Sequence, residues 1–236
     1  MGTLYLVRHG QASIHADDYD QLSALGERQA ELLGRYWGAR DVRMTRAFVG
    51  PLKRQRGSFA ALVAGYGAAG VAPFEAADDG GLAEFDALEL LDAVLPTIAD
   101  EDPVAAAMLR EVPPGSTPAR GHERLFRHVT TRWVKGELAP PGVRPFAGFR
   151  AQVREALARA VAGTGRDDTT VAVTSGGVIG AMVAEVVGAD DLRALELAWI
   201  VRNASFTELA VGREGARLVA FNAVPHLDGD GLVTYR

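Results

Sequence analysis

The sequence predicts an α/β protein, a three-layer αβα sandwich with a mostly parallel central sheet and a helical insertion. Short apolar runs that suit strands covered on both faces alternate with segments of helical periodicity. The clearest examples are the run at residues 4–7 and the helical repeat at 149–161. In such sheets, ligands bind beyond the carboxyl ends of the strands. The residues that directly follow each predicted strand are therefore the first candidates for a site.

The first predicted strand, residues 4–7, is followed by a predicted helix. The strand has no polar alternation, and charge begins abruptly at Arg8. Ser23 is suited to cap a helix, because its hydroxyl can accept a hydrogen bond from a backbone amide of the first turn. The inner face of that helix then carries apolar residues spaced three and four apart, which are Ala30, Leu33 and Trp37.

A second strand and helix are predicted at residues 47–49 and after Pro51. Proline suits the first helical position, where its missing N–H costs nothing. The glycine-rich stretch 65–70 is expected to end this helix. From 88 to 145 the pattern is irregular, with short helices at 90–95 and 104–110 and a turn at Pro113-Pro114-Gly115. We interpret 88–145 as a cap or lid inserted into a single domain that spans residues 1–236.

The last third of the chain returns to regular alternation. Phe149, Val153, Leu157 and Val161 recur every fourth residue and predict a helix. A strand is expected at 170–174, and Ser175-Gly176-Gly177 then leads into a second helix. Residues 205–211 and 217–222, joined through 212–215, predict a closing hairpin.

Composition excludes several classes of protein. The chain has 236 residues, 48% of them hydrophobic, a net charge of −5 and no cysteine. Without cysteine there is no disulfide scaffold, thiolate metal site or cysteine catalysis. The acidic balance argues against a nucleic-acid partner. The apolar run before Arg8 is too short for a signal peptide or a membrane span, so we predict a cytoplasmic protein without a membrane partner.

Four segments carry the candidate chemistry. Arginine offers a fork of donors suited to phosphate, and helix starts and glycine-rich turns expose backbone amides to anions. Each segment alone has a structural alternative, such as a solvated helix face or a solvated loop carboxylate. The segments are Arg8-His9-Gly10-Gln11, Gly50-Pro51-Leu52-Lys53-Arg54, Leu82-Ala83-Glu84-Phe85-Asp86 and Thr174-Ser175-Gly176-Gly177.

Taken in order, these motifs resemble the histidine phosphatase superfamily, the phosphoglycerate mutase-like proteins. The resemblance covers most of the chain and is poor only over 88–145. Besides the four segments, the matching stretches are Leu22-Ser23-Ala24-Leu25-Gly26 with Gln29-Ala30, Phe149-Arg150 with Val153, Val171 to Gly177, Asn203 with Ser205, and Phe221-Asn222 with His226-Leu227.

The resemblance implies a role for each matching residue. His9 is the nucleophile that becomes a phosphohistidine, and Arg8 and Arg54 neutralise the phosphoryl oxygens. Glu84 falls at the acid that protonates the leaving oxygen, with Asp86 as the alternative. No metal and no cofactor is required. Substrate and phosphate contacts are expected from four further residues, which are Gln11, Ser13, Ser175 and Gly176.

One position departs from the family pattern. The family usually has a second histidine after the late strand, and that position is Ser175 here. A hydroxyl can donate one hydrogen bond but brings no positive charge. Three interpretations follow: a phosphatase acting on a small phosphorylated molecule, a phospho-ligand-binding pseudoenzyme, and, third, a phosphoglycerate mutase. The sequence leaves open the substrate and whether the chain forms a homodimer.

Overall fold

The computed structural model describes residues 1–13, 20–111 and 123–235. The turn expected at Pro113-Pro114-Gly115 lies outside the described residues. The chain divides into two compact units, one formed by Met1–Glu84 with Gln152–Arg236 and the other by Phe85–Ala151. None of the helices in the part of the chain that the structure describes is both long enough and apolar enough to cross a bilayer.

The predicted strands and helices occur in the predicted order, together with further elements that the sequence did not indicate. Before the second unit they are β1 (Gly2–Arg8), α1 (Ala24–Gly38), β2 (Arg46–Val49), α2 (Lys53–Ala68) and β3 (Ala77–Asp78), followed by a 3₁₀ turn at Gly80–Leu82. The second unit contains α3 (Ala87–Glu101), α4 (Pro103–Arg110) and α5 (Glu123–Val134). The remaining elements are α6 (Phe146–Val161), β4 (Thr169–Thr174), α7 (Gly176–Val187), α8 (Asp191–Ile200), β5 (Phe206–Gly212) and β6 (Gly215–Ala223).

Six strands form one sheet in the order β3-β2-β4-β1-β5-β6. β4 pairs in parallel with both β1 and β2, β3 pairs in parallel with β2, and β5 and β6 add antiparallel pairings. The predicted mostly parallel α/β fold is therefore confirmed. In the β1–β4 register Arg8 lies opposite Thr174. His9 and Ser175 consequently leave the sheet side by side at one edge.

Helices α1 and α2 cover one face of this sheet. Their inner residues Leu33, Trp37, Leu62 and Tyr66 form a buried cluster with strand residues of the same face, which are Val7, Ala47, Val49, Val171, Val173 and Phe206. The two helices cross closely because Gly34 and Gly65 lie at the crossing. A Cβ on Gly34 would lie 1.9 Å from the carbonyl oxygen of Leu62, and one on Gly65 would lie 2.0 Å from that of Glu31.

The boundaries of α2 agree with one expectation and contradict another. The helix ends at Ala68, inside the glycine-rich stretch 65–70, as expected, and Gly65 within that stretch serves the helix crossing. Pro51 does not begin it, because Leu52 is the cap residue and Lys53 is the first helical residue. The amide of Lys53 instead donates to the carboxylate of Asp20, 2.8 Å away.

The other face of the sheet is covered by α7, whose residues 176–184 are all buried, and α8 packs on α7. Because strand side chains alternate between faces, Leu4 and Leu6 lie on the face opposite to Val7. Helix α8 was not expected from the sequence. Its first turn is fixed by Asp190, whose side chain accepts from the amide of Arg193.

The unit Phe85–Ala151 has its own framework. Asp102 caps α4 by accepting from the amides of Val104 and Ala105. The same carboxylate binds Nε2 of His128 at 2.5 Å and Nη1 of Arg132 at 2.8 Å, and so joins α4 to α5. The limits of this unit lie close to those of the predicted insertion, 88–145. Its role as a cap or lid stays a prediction.

Candidate active site

The backbone of His9 is held from two sides just beyond the end of β1. Its amide donates to the carbonyl of Thr174 at 2.9 Å. Its carbonyl accepts from the amide of Ala204 at 3.2 Å and from Nδ2 of Asn203 at 3.3 Å. Ala204 adopts the left-handed conformation, with φ of 53°. These contacts fix the residue that the sequence analysis proposes as the nucleophile.

The hydrogen bonds of the His9 ring define its tautomer. Nδ1 lies 2.7 Å from the carbonyl oxygen of Gly10, and Nε of Arg54 lies 3.2 Å from Nε2 of His9. A carbonyl oxygen can only accept and a guanidinium N–H can only donate. Nδ1 therefore carries the proton, and Nε2 carries the lone pair that faces Arg54.

The surroundings of His9 favour its neutral form. The side chain is buried, with 5% of the residue exposed. Burial lowers the pKa of His9 well below its ordinary value, and the positive charges of Arg8 and Arg54 lower it further, against the opposing hydrogen bond to Gly10. The imidazole is consequently unprotonated at neutral pH.

Arg54 is oriented by a carboxylate that sequence reasoning missed. Nη1 of Arg54 forms an ion pair with Oδ1 of Asp20 at 2.7 Å, and the other oxygen of Asp20 accepts from the amide of Lys53. Both side chains are largely buried. One carboxylate thus anchors the arginine and the first turn of α2, so that the Nε–H is directed at His9. The acidic residue lies 34 positions before its partner, and no local spacing indicates it.

Arg8 lies beside the start of α7. Its Nη1 donates to the carbonyls of Val201 and Tyr235, the latter at 2.9 Å. A Cβ on Gly176 would lie 3.6 Å from Nε of Arg8, so this glycine lies in contact range of the guanidinium group. The structure therefore directs two N–H groups of Arg8 at backbone carbonyls, while its charge still acts on His9.

Ser175 is fully buried at the cap position of α7. Its Oγ accepts from Nε2 of Gln55 at 2.8 Å, and the same Nε2 donates to the carbonyl of Leu82 at 3.0 Å. Gln55 is fully buried as well. No pattern in the sequence indicates a role for Gln55, because its partner lies 120 positions away.

Glu84 reaches the beginning of α7. Its Oε2 accepts from the amide of Gly177 at 2.8 Å, an arrangement in which the helix N-terminus stabilises negative charge. The segment before Glu84 is held by Gln152, whose Nε2 donates to the carbonyls of Gly81 and Ala83 at 3.1 Å each. The alternative acid, Asp86, caps α3 and accepts from the amide of Glu89.

Gln11 and Ser13 face the residues that precede α1. Oε1 of Gln11 accepts from the hydroxyl of Ser23 at 3.0 Å, and the hydroxyl of Ser13 donates to the carbonyl of Leu22 at 3.1 Å. The amide of Gln11 donates to Gln29, which in turn binds the carbonyl of Leu232. The two side chains stabilise this loop, and their contact with a substrate stays a prediction.

The structure thus brings His9 and Arg54 into direct contact and places Ser175 beside them at the same sheet edge. Arg8 and Glu84 are joined to this group through the start of α7. Such an arrangement combines an unprotonated imidazole, two cations and a carboxylate. Among the residues that the structure describes, no group of three or more histidine and acidic side chains is arranged to hold a metal ion.

Comparisons with known proteins identify the family of the chain. The chain matches the profile described as histidine phosphatase superfamily (branch 1) over residues 4–136 and 115–224. No curated protein matches it in sequence.

Solved structures with a similar fold include three bacterial proteins. A mycobacterial glucosyl-3-phosphoglycerate phosphatase is 23% identical, with 94% of this chain and 98% of that chain covered and a TM-score of 0.61. YhfR of Bacillus stearothermophilus is 17% identical, with 96% and 99% covered and a TM-score of 0.64. The alpha-ribazole phosphatase of Shigella flexneri is 15% identical, with 94% and 96% covered and a TM-score of 0.61. At these identities the likeness concerns the fold.

Proposed function

The chain belongs to the histidine phosphatase superfamily, and on that premise we propose that it hydrolyses a small phosphate monoester through a phosphohistidine at Nε2 of His9. The tautomer of His9 carries this proposal. Its Nδ1–H is held by Gly10, and the lone pair of Nε2 faces the guanidinium group that would bind a phosphoryl oxygen. A positioned, unprotonated nitrogen is what a covalent mechanism of phosphoryl transfer requires.

In the first step, the lone pair of Nε2 attacks phosphorus and the bond from phosphorus to the leaving oxygen breaks. The leaving oxygen takes a proton from Glu84. The imidazole gains positive charge as the N–P bond forms, and the hydrogen bond from Nδ1 to Gly10 stabilises that charge. Arg8 and Arg54 offset the charge on the phosphoryl oxygens, which is the main catalytic requirement of phosphoryl transfer.

In the second step, water attacks phosphorus and the N–P bond breaks. Glu84, now a carboxylate, accepts the proton of the attacking water, and Nε2 recovers its lone pair. Phosphate leaves and the enzyme returns to its starting state. The hydrogen bond from Gly177 stabilises the carboxylate form that this step needs. Asp86 is the weaker candidate for this role, because its carboxylate is engaged as the cap of α3.

The substrate is proposed to be a phosphate ester of a small organic molecule. The similar structures include phosphatases named for alpha-ribazole and for glucosyl-3-phosphoglycerate, both small organic molecules. A screen of phosphate release from sugar phosphates, phosphoglycerates, nucleotides and phosphopeptides tests this class. Preferential release from the phosphopeptides would contradict it.

The second candidate, a phospho-ligand-binding pseudoenzyme, is supported by Ser175. That residue is fully buried, is engaged by Gln55 and adds no positive charge. The two candidates differ in whether His9 becomes phosphorylated. A phosphohistidine is lost in acid and survives in base, so rapid quenching under both conditions after mixing with a phosphate ester detects it.

For hydrolysis, we expect base-stable labelling that His9→Ala abolishes together with phosphate release. His128→Gln is the matched control, because this histidine belongs to the other unit and pairs with Asp102; it should retain activity. The acid limb of kcat/KM should lie below pH 6.5, since burial lowers the pKa of His9. Phosphate binding without labelling would favour the pseudoenzyme.

A further inference from the structure

Gln55 is a fully buried carboxamide directly after Arg54 in the first turn of α2. A buried amide must satisfy both its oxygen and its N–H groups. Oε1 accepts from the amide of Leu52 at 3.1 Å, and Nε2 donates to the carbonyl of Leu82 and to Oγ of Ser175. The amide of Leu52 can only donate and the carbonyl of Leu82 can only accept, so the partners fix the orientation of the carboxamide.

This orientation determines how Ser175 can be used. A hydroxyl has one proton to donate and two lone pairs to accept with. Because Nε2 of Gln55 donates, it occupies a lone pair of Ser175 Oγ, 2.8 Å away, and the hydroxyl proton points elsewhere. The serine is thereby kept as a hydrogen-bond donor at the sheet edge that it shares with His9.

The same carboxamide also holds the chain that leads to Glu84. The carbonyl of Leu82 accepts from Nε2 of Gln55 and from Oγ1 of Thr174, the latter at 2.7 Å. Leu82 is buried, so both bonds are shielded from water. Two donors on one carbonyl tie this segment to α2 and to the end of β4. Gln55 therefore contacts both Leu82, in the segment that leads to Glu84, and Ser175, the cap residue of α7.

We propose that Gln55 is a positioning residue that presents the hydroxyl of Ser175 as a donor to a phosphoryl oxygen and fixes the segment bearing Glu84 against the helix bearing Arg54. The inference deepens the proposed function and rests on it. Gln55 itself does not touch the substrate. Its effect should therefore depend on Ser175, and this dependence distinguishes it from a residue that only stabilises the fold.

A double-mutant cycle tests the dependence. Gln55→Met keeps the approximate size of the side chain and removes its hydrogen bonds. We expect Gln55→Met and Ser175→Ala each to lower kcat for p-nitrophenyl phosphate and the affinity for inorganic phosphate, by about 10-fold to 10²-fold. The double variant should lose little more than the worse single variant. Losses that multiply would overturn the proposal.

Gln152→Met is the matched control. This glutamine donates to the carbonyls of Gly81 and Ala83, on either side of Leu82. Gln152→Met should loosen the same segment, and the fold-loss of activity that it causes should multiply with the fold-loss caused by Ser175→Ala. If Gln152→Met couples to Ser175→Ala as strongly as Gln55→Met does, Gln55 merely holds the segment and the proposal fails.

Gln55→Glu keeps the test decisive if Gln55→Met does not fold. A carboxylate still accepts from the amide of Leu52, but it also accepts from Ser175 and so draws the hydroxyl proton away from the phosphoryl group. Phosphate affinity should fall at least about 10-fold at alkaline pH and recover toward acid pH as the carboxyl group protonates. A loss that does not change with pH relative to the wild type would contradict the proposal.

Phosphate affinity, measured by calorimetry with inorganic phosphate, separates this inference from the proposed hydrolysis. A wild-type protein that binds phosphate without turnover would overturn hydrolysis alone, and the coupling between Gln55 and Ser175 would still be read from affinity. A wild type whose activity depends on His9, combined with independent effects of Gln55 and Ser175, would overturn the positioning role alone.

Discussion

We expect His226 to make the folded protein less stable at acid pH. The residue is buried, 8% exposed, and its ring lies against Tyr36 and Phe206 at centroid distances of 6.1 and 6.4 Å. Burial lowers the pKa of its imidazole to about 4, against the opposing effect of the backbone of Ala204. The ordinary pKa of histidine is 6.5. Between that pH and about 4, the imidazole of His226 is therefore protonated in the unfolded chain and neutral in the folded chain.

The size of the effect follows from linkage. Above pH 6.5 the imidazole is neutral in both states and contributes no pH dependence. As the pH falls toward 4, the unfolded state gains protonation free energy at about 1.4 kcal/mol per pH unit, until the folded state also protonates. Between about pH 7.5 and about pH 4.5 this single group should cost about 2.5 kcal/mol of stability. Acidification therefore lowers the free energy of unfolding.

His226→Phe removes the titration and keeps an aromatic ring between Tyr36 and Phe206. Urea unfolding of both proteins at the two pH values gives the free energy of unfolding in each case. The wild type should lose about 2.5 kcal/mol more than the variant on acidification. His9, whose lowered pKa acts in the same direction, is present in both proteins and cancels. Equal losses in the two proteins would refute a buried, neutral His226.

Further predictions concern the site and its support. Glu84→Gln should slow hydrolysis of alkyl phosphates by about 10²-fold or more and spare esters with an acidic phenol leaving group, and equal losses in a steady-state comparison would remove its role as proton donor. Arg54→Gln should lower kcat/KM by about 10²-fold or more. Its control Arg56→Gln, which breaks an exposed ion pair with Asp78 and an exposed hydrogen bond to the carbonyl of Pro51, should change it little. Gly10→Ala places a Cβ 2.1 Å from a backbone oxygen of α1 and should lower both thermal stability and activity. A Cβ at Gly80 meets nothing within 4 Å, so Gly80→Ala should leave both unchanged.

The alternation of strands and helices could be predicted because it depends on local pattern. The buried run of β1 and the cap Ser23 are signals contained within a few residues, and both are found as expected. Helix α8 was missed although Asp190 caps it, because its apolar residues do not form a clear stripe. The end of α2 at Ala68 lies inside the predicted glycine-rich stretch, but the contact of Gly65 with another helix is something that a single segment of sequence does not reveal.

The candidate site divides in the same way. The motif residues His9, Arg54 and Glu84 could be selected from sequence because each follows a predicted strand or turn and matches the pattern of the family that the chain resembles. The roles of the supporting residues could not be predicted, even for Asn203, which lies in a stretch that matches the family, since the hydrogen bonds connect positions far apart in the chain. Asp20 lies 34 positions from Arg54, and Asn203 lies 194 positions from His9. Polar residues of this kind have no periodicity that separates them from surface residues before the fold is known.

The protonation state of His9 bears most directly on the choice between hydrolysis and binding. A protein that only holds phosphate would gain from an imidazolium at this position, since a positive ring attracts the anion. The structure has the opposite property, because burial and the charges of Arg8 and Arg54 lower the pKa of His9. The carbonyl of Gly10 takes the Nδ1 proton, and Nε2 keeps its lone pair beside Arg54. A neutral imidazole adds no positive charge for phosphate, whereas an attacking nitrogen needs the lone pair, so this arrangement supports the proposed hydrolysis.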